Sequence, residues 1–130
     1  MSAAVRYYSR SGNTRAVAEA IAAAAGVAAV SVDAADAKIQ EPVDVLFIGG
    51  ALYAYGLDSH LKEYLKTLKS TDAKKAVVFS TSWISKHSLD LIKKGLTEAG
   101  IPVESETFYV KNRPNAGQLK QAGAFAEKFL

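Results

Sequence analysis

Apolar residues fall into two alternating rhythms along the chain. Short apolar runs at residues 3–8, 27–32, 43–49, 76–81 and 103–110 read as β-strands. The near-continuous run at 43–49 is what a strand buried on both faces shows. Between these runs the apolar residues recur at helical spacing. Residues 13–25 form an alanine-rich helix. Leu57, Leu61, Leu65 and Leu68 mark one helical face, Leu89, Ile92, Leu96 and Ala99 a second, and Leu119, Ala122, Ala126 and Phe129 a third. Gly26 opens the second strand, and Gly100 and Pro102 separate the second of these faces from the last strand. The order βαβ-βαβαβα predicts an α/β domain: a parallel sheet with helices on both faces. Only residues 33–42 join the second and third strands, close to the shortest parallel crossover, so a loop or a single helical turn is expected there. No linker, repeat or low-complexity tract interrupts residues 1–130, which read as one domain.

Composition narrows the chemistry. Of the 130 residues, 49% are hydrophobic, enough to build a core and too many for a disordered chain. Cysteine is absent, which excludes disulfides, thiolate catalysis and cysteine-ligated metal clusters and fits a reducing cytoplasm. The longest apolar run, residues 20–30, is too short to span a bilayer and follows no basic leader. A soluble cytoplasmic monomer without a membrane span is the expectation. The net charge of +3 is spread along the chain, with no Lys/Arg run and no aromatic–basic interleaving, so nucleic acid is not the expected partner.

The most informative stretch follows the first strand: Ser9, Arg10, Ser11, Gly12, Asn13 and Thr14, with a helix beginning at once. A helix N-terminus offers unpaired backbone N–H groups and partial positive charge, and both suit a phosphate. Gly12 allows close approach and positive φ. Ser9, Ser11 and Thr14 add hydroxyls, and Asn13 an amide. An ordinary strand–turn–helix capped by Asn13 or Thr14 would need only one of these polar side chains. The loop has no Walker lysine, no G-x-G-x-x-G and no nucleophilic cysteine. Its residues resemble the flavodoxin signature, in which Ser/Thr-x-Ser/Thr-Gly-Asn-Thr cradles the phosphate of flavin mononucleotide (FMN). The resemblance extends over the whole chain. It implies a flavodoxin-like three-layer α/β/α sandwich, a five-stranded parallel sheet of order 2-1-3-4-5, and FMN at the switch point of that order.

That strand order brings two further loops to the same edge. The third strand runs into Gly49, Gly50, Ala51, Leu52, Tyr53, Ala54, Tyr55 and Gly56; the fourth runs into Thr81, Ser82, Trp83 and Ile84. Flat aromatic rings stack on an isoalloxazine, and small residues let backbone reach its polar edge. Tyr53 and Tyr55 could equally pack on the core; for Trp83 a core position is the alternative to stacking. As the resemblance has it, residues Ala51 to Gly56 and Thr81 to Ile84 wall the ring, and the peptide at Gly56 is the candidate for a flexible unit beside the flavin. The chain departs from typical flavodoxins in two respects. Thr81-Ser82-Trp83 replaces their glycine–aspartate pair and tyrosine, and the net charge is basic where many are acidic. Positive charge favours a reduced, anionic flavin and points to acidic redox partner proteins.

Residues 48–56 followed by Asp58, Ser59 and His60 also resemble the flavodoxin-fold menaquinone-dependent protoporphyrinogen oxidases, though the long insertion of those enzymes near the last strand is missing. Asp58 or Ser59 suits an N-cap, with His60 as an ordinary first-turn residue rather than a proton donor to the flavin. His60 and His87 have no acidic neighbours at ligand spacing, so no metal site is expected. The expected function is an FMN-binding electron-transfer protein without catalytic side chains. A small FMN-dependent oxidoreductase acting on a quinone or porphyrinogen, and a non-flavin binding domain that keeps the fold, remain as alternatives.

Overall fold

A computed structural model describes residues 2–53, 56–82 and 86–130; for Tyr53 it describes the backbone only. Tyr55, Ala54, Trp83 and Ile84, and the Tyr53 side chain, therefore lie outside the described residues. Along the chain the elements are β1 (Ala3–Tyr7), α1 (Asn13–Ala25), β2 (Ala29–Ser31), β3 (Val43–Gly50), β4 (Leu52–Tyr53), β5 (Gly56–Leu57), α2 (Ser59–Thr67), β6 (Ala73–Ser82), α3 (His87–Glu98), β7 (Val103–Lys111) and α4 (Ala116–Glu127).

Five strands form one sheet of order β2-β1-β3-β6-β7, every pairing parallel. In order of occurrence within that sheet this is 2-1-3-4-5, as expected. Strand side chains alternate between the two faces. Val5, Val45, Phe47, Val77, Phe79 and Val110 meet α1 and α4 through Val17, Ile21, Ala122 and Phe125. Ala4, Leu46, Ile48, Ala76 and Val78 meet α2 and α3 through Leu61, Leu65, Ile92 and Leu96. Burial on both faces explains why the central strands read as apolar runs rather than alternating ones.

Besides one-residue differences at the ends of β1, β2, β3, β6 and β7, three boundaries differ from the sequence reading, each for a local reason. β2 starts at Ala29, not Val27, because Gly26 caps α1 at φ 71° and the Val27 N–H donates to the Ala22 carbonyl. Val27 thus completes a Schellman-type helix end and stays 37% exposed. β6 begins at Ala73 because Lys74 and Lys75, which break the apolar run, sit in a strand that pairs Val43 with Ala73 and Val45 with Lys75. The apolar face of α2 reaches past the helix itself. Leu57 belongs to β5 and Leu68 is the extended C-cap, yet both are buried with Leu61 and Leu65.

The short crossover between β2 and β3 contains no helix or strand and is pinned at one atom. The Ala37 carbonyl accepts Nε of Arg6 and the hydroxyl of Tyr64, each at 2.6 Å. Burial raises the pKa of that phenol, and the nearby Arg6 opposes the rise. Ala37 and Ile39 are buried, so the loop covers core instead of arching over solvent.

β3 ends against β6 at very close range. A Cβ on Gly49 would stand 2.3 Å from the Phe79 ring and 2.5 Å from the Phe79 carbonyl oxygen; one on Gly50 would stand 2.4 Å from Leu61. The fully buried Phe79 side chain occupies the space a Gly49 side chain would need. A Gly49→Ala substitution should destabilise the fold by about 1–3 kcal/mol, since the clash includes backbone that cannot rotate away. Urea denaturation measures it; an unchanged midpoint would show that the strands separate freely here.

Candidate functional site

The strand order reverses between β1 and β3, so the loops after them leave the sheet side by side. Their registers agree: Tyr7 lies beside Gly49, and Gly49 beside Phe79. The Tyr8 N–H continues the ladder to the Gly49 carbonyl at 3.2 Å. Residues 8–12, residues 51–53 and 56–58, and the end of β6 thus converge on one edge.

The loop at the head of α1 is arranged by three contacts. Gly12 is the N-cap at φ 92° and ψ −5°, a left-handed conformation that strains any other residue. Its N–H donates to the Ser9 hydroxyl at 2.9 Å. No side chain caps α1, so neither Asn13 nor Thr14 acts as an ordinary cap, and the first-turn N–H groups are left for another acceptor. Thr14 is 1% exposed, and its hydroxyl meets that of Thr81 at 2.6 Å. The Asn13 amide lies 3.4 Å from Asn112 Oδ1, a long contact to the residue that follows β7. Ser11 is exposed and makes no hydrogen bond among the described residues. The loop itself carries no acidic side chain. A phosphate group fits this donor set: bare helix N–H groups, a glycine approach and an exposed hydroxyl.

Asp58 joins this loop to the next. Its side chain is 4% exposed. Oδ2 accepts Nε and Nη2 of Arg10 at 2.9 and 2.5 Å. Oδ1 accepts the His60 N–H at 2.8 Å, capping α2, and stands 2.7 Å from His60 Nδ1. The His60 ring in turn stacks on Tyr8, centroids 4.7 Å apart at 11°. Burial works against ionisation of Asp58, but the His60 N–H, Arg10 and the His60 ring together outweigh it and hold the carboxyl below its usual range. His60 is thus the first-turn residue that the cap pattern suggests. The sequence reading missed its ring contacts with Asp58 and Tyr8. The Asp-x-His spacing at a helix start was the available signal, but Tyr8 is distant in sequence.

At the end of β6, three hydroxyl residues are buried; Ser80 and Thr81 bond through their side chains and Ser82 through its carbonyl. The Ser80 hydroxyl donates to the Gly50 carbonyl at 2.6 Å and lies 2.5 Å from that of Ser88 on α3. Thr81 meets Thr14. The Ser82 carbonyl accepts the Tyr109 hydroxyl at 2.8 Å and the Asn112 N–H at 3.1 Å. Among the expected ring-wall residues, Thr81 and Ser82 are 2% and 5% exposed, whereas Ala51, Leu52 and Gly56 are half-buried. Leu52 and Tyr53 pair with Leu57 and Gly56 as a short antiparallel ribbon, a feature the sequence reading took for plain loop. Gly49 and Gly50, read there as openings toward a ligand, have packing reasons to be glycine.

The flavodoxin domain profile matches residues 4–112, and the chain belongs to the flavodoxin family. No curated protein matches it. Solved structures show the same fold. Flavodoxin 2 from Bacillus cereus superposes with a TM-score of 0.83 at 19% identity, over 99% of this chain and 97% of that one. A flavodoxin from the domain Archaea gives 0.77 at 22% identity, over 99% and 96%. The rubredoxin:oxygen oxidoreductase of Desulfovibrio gigas gives 0.82 at 18% identity, with 98% of this chain matching 34% of that larger one. No helix among the described residues is long and apolar enough to cross a membrane.

The Asp58 cluster makes a prediction about acid. A folded carboxyl with a lowered pKa stabilises the fold above its unfolded value of about 3.8, and that contribution is lost as pH falls through the folded value. Asp58→Asn keeps the cap acceptor but removes the charge. It should cost about 1–2 kcal/mol at pH 7, the lower end for a charged pair because Arg10 is half exposed. The gap to the parent protein should close below about pH 4. Denaturant titrations at pH 7, 5 and 3 check this; a gap that stays constant would mean that shape, not charge, matters at residue 58.

Proposed function

We propose that this chain is an FMN-binding electron carrier of the cytoplasm. The observation that carries the reading is the opening of α1, with Gly12 in the left-handed region, no side chain over the first-turn N–H groups, and Ser11 exposed beside them. The family match supports FMN as the ligand such a loop serves. Ser9, Arg10, Ser11, Gly12, Asn13 and Thr14 would surround the phosphate. Backbone donors and the Ser11 and Asn13 side chains would make direct contact; Ser9 and Thr14 would hold the loop's shape. Arg10 would place positive charge nearby while tied to Asp58. Residues Ala51 to Gly56 and Thr81 to Ile84 would wall the ring, with Gly56 able to reorient its peptide. When bound, FMN supplies the redox chemistry; the protein supplies anchorage, exclusion of water and electrostatics.

The carrier reading draws on the family match and on the flavodoxins among the solved structures that share the fold. The described residues form one sandwich with these loops at the edge of its sheet. A net charge of +3 supports an acidic redox protein as the partner, met by a brief, charge-steered encounter. In stopped-flow mixing, the FMN-loaded, reduced protein should pass electrons to an acidic redox protein at a rate that falls several-fold as ionic strength rises from 0.01 to about 0.5 M. Fast, saturable turnover of a small quinone or porphyrinogen, with salt-independent transfer to proteins, would make it an enzyme instead.

A further inference from the structure

Away from the phosphate loop, α2 and α3 border a groove of about 610 Å³. Its floor is apolar. Leu57, Leu65 and Leu68 line one side, and Leu91 and Ala99 the other. The helices touch at Gly95, where a Cβ would stand 2.9 Å from Leu65, so the floor lies close to helix backbone. The rim is charged and mostly of one sign: Lys62 and Lys66 on α2 and Lys94 on α3, against Glu98 alone. Lys66 pairs with Glu63 at 3.5 Å. Lys62 and Lys94, both exposed, form no hydrogen bond or ion pair among the described residues. They flank the groove from opposite helices.

Apolar floor and unpaired flanking ammonium groups are complementary to one chemistry. We propose that the groove binds a small amphiphilic monoanion, an acyl or aryl body ending in a carboxylate, with the body on Leu65, Leu91 and Gly95 and the anion between Lys62 and Lys94. Size separates this from a protein-docking surface. The volume falls within the roughly 300–1,000 Å³ of small-ligand sites. Ten residues line the groove, fewer than the roughly 20–30 per side of a stable protein interface. The proposal is independent of FMN: no residue of the phosphate loop lines the groove. It does touch the neighbouring ribbon, because Leu57 lines it and the tip of Lys62 lies 3.4 Å from where a Cβ on Gly56 would be. Occupancy would therefore be felt at β5.

The test uses a matched pair of probes, octanoate and octan-1-ol, titrated into the isotope-labelled full chain while backbone amide shifts are followed. Octanoate should cause saturable shifts at Leu57, Leu65, Leu91 and Gly95. The double variant Lys62→Glu/Lys94→Glu changes only exposed side chains, and the dispersion of its amide spectrum verifies its fold. It should weaken octanoate about tenfold and leave octan-1-ol within about twofold. A chain with no saturable response to octanoate, shifts centred elsewhere, or charge reversal without effect on octanoate would overturn the proposal. So would these amides responding to an acidic redox protein and not to octanoate.

Discussion

The end of β6 sets the constraint on which the candidate site depends. A strand buried on both faces has no water near its last residues, and Ser80, Thr81 and Ser82 bring three hydroxyls and their backbone there. An unpaired buried hydroxyl costs about 1–3 kcal/mol. Every polar group must therefore find a partner in a neighbouring element, and among the described residues no buried side-chain nitrogen or oxygen is left without one. The Ser80 hydroxyl binds β3 and α3, the Thr81 hydroxyl binds α1, and the Ser82 carbonyl binds β7 and the turn after it. Three adjacent residues thus hold four elements in register at the edge where the loops emerge.

The phosphate-type loop is fastened from two sides as a result. Thr14 draws the first turn of α1 toward β6, while Arg10 is drawn toward Asp58 at the head of α2. Between them Gly12 takes a left-handed conformation, and Ser9 ties the loop back on itself. Such a loop is preorganised, so a bound anion would not have to order it. The division of labour differs from what hydroxyl counting implies. Ser9 and Thr14 shape the loop through their hydroxyls, whereas Ser11 stays exposed and no side chain caps the first-turn N–H groups.

Much of this was legible in the sequence. Helix α1 appears at its observed bounds because its signals are local: a glycine before it, alanines within it, a glycine after it. Strand order followed from the loop's resemblance and not from periodicity, which cannot order strands. The errors have physical origins. The strand boundaries slipped at Val27, where a helix cap borrows the first residue of an apolar run, and at Lys74 and Lys75, charged residues that lie in a paired strand. Gly49 and Gly50 looked functional because a sequence does not reveal which backbone approaches which ring. The Asp58 cluster spans 48 residues between Arg10 and Asp58, beyond any motif's reach.

The central claim is that the head of α1 recognises a phosphate and so selects the cofactor. The most direct measurement is an equilibrium fluorescence titration of the chain with FMN and with riboflavin, which share the ring and differ in the phosphate. Two or more charge-assisted hydrogen bonds, each worth about 1.5–3 kcal/mol, predict that FMN binds at least about a hundredfold more tightly. Equal affinities for the two flavins would contradict the account.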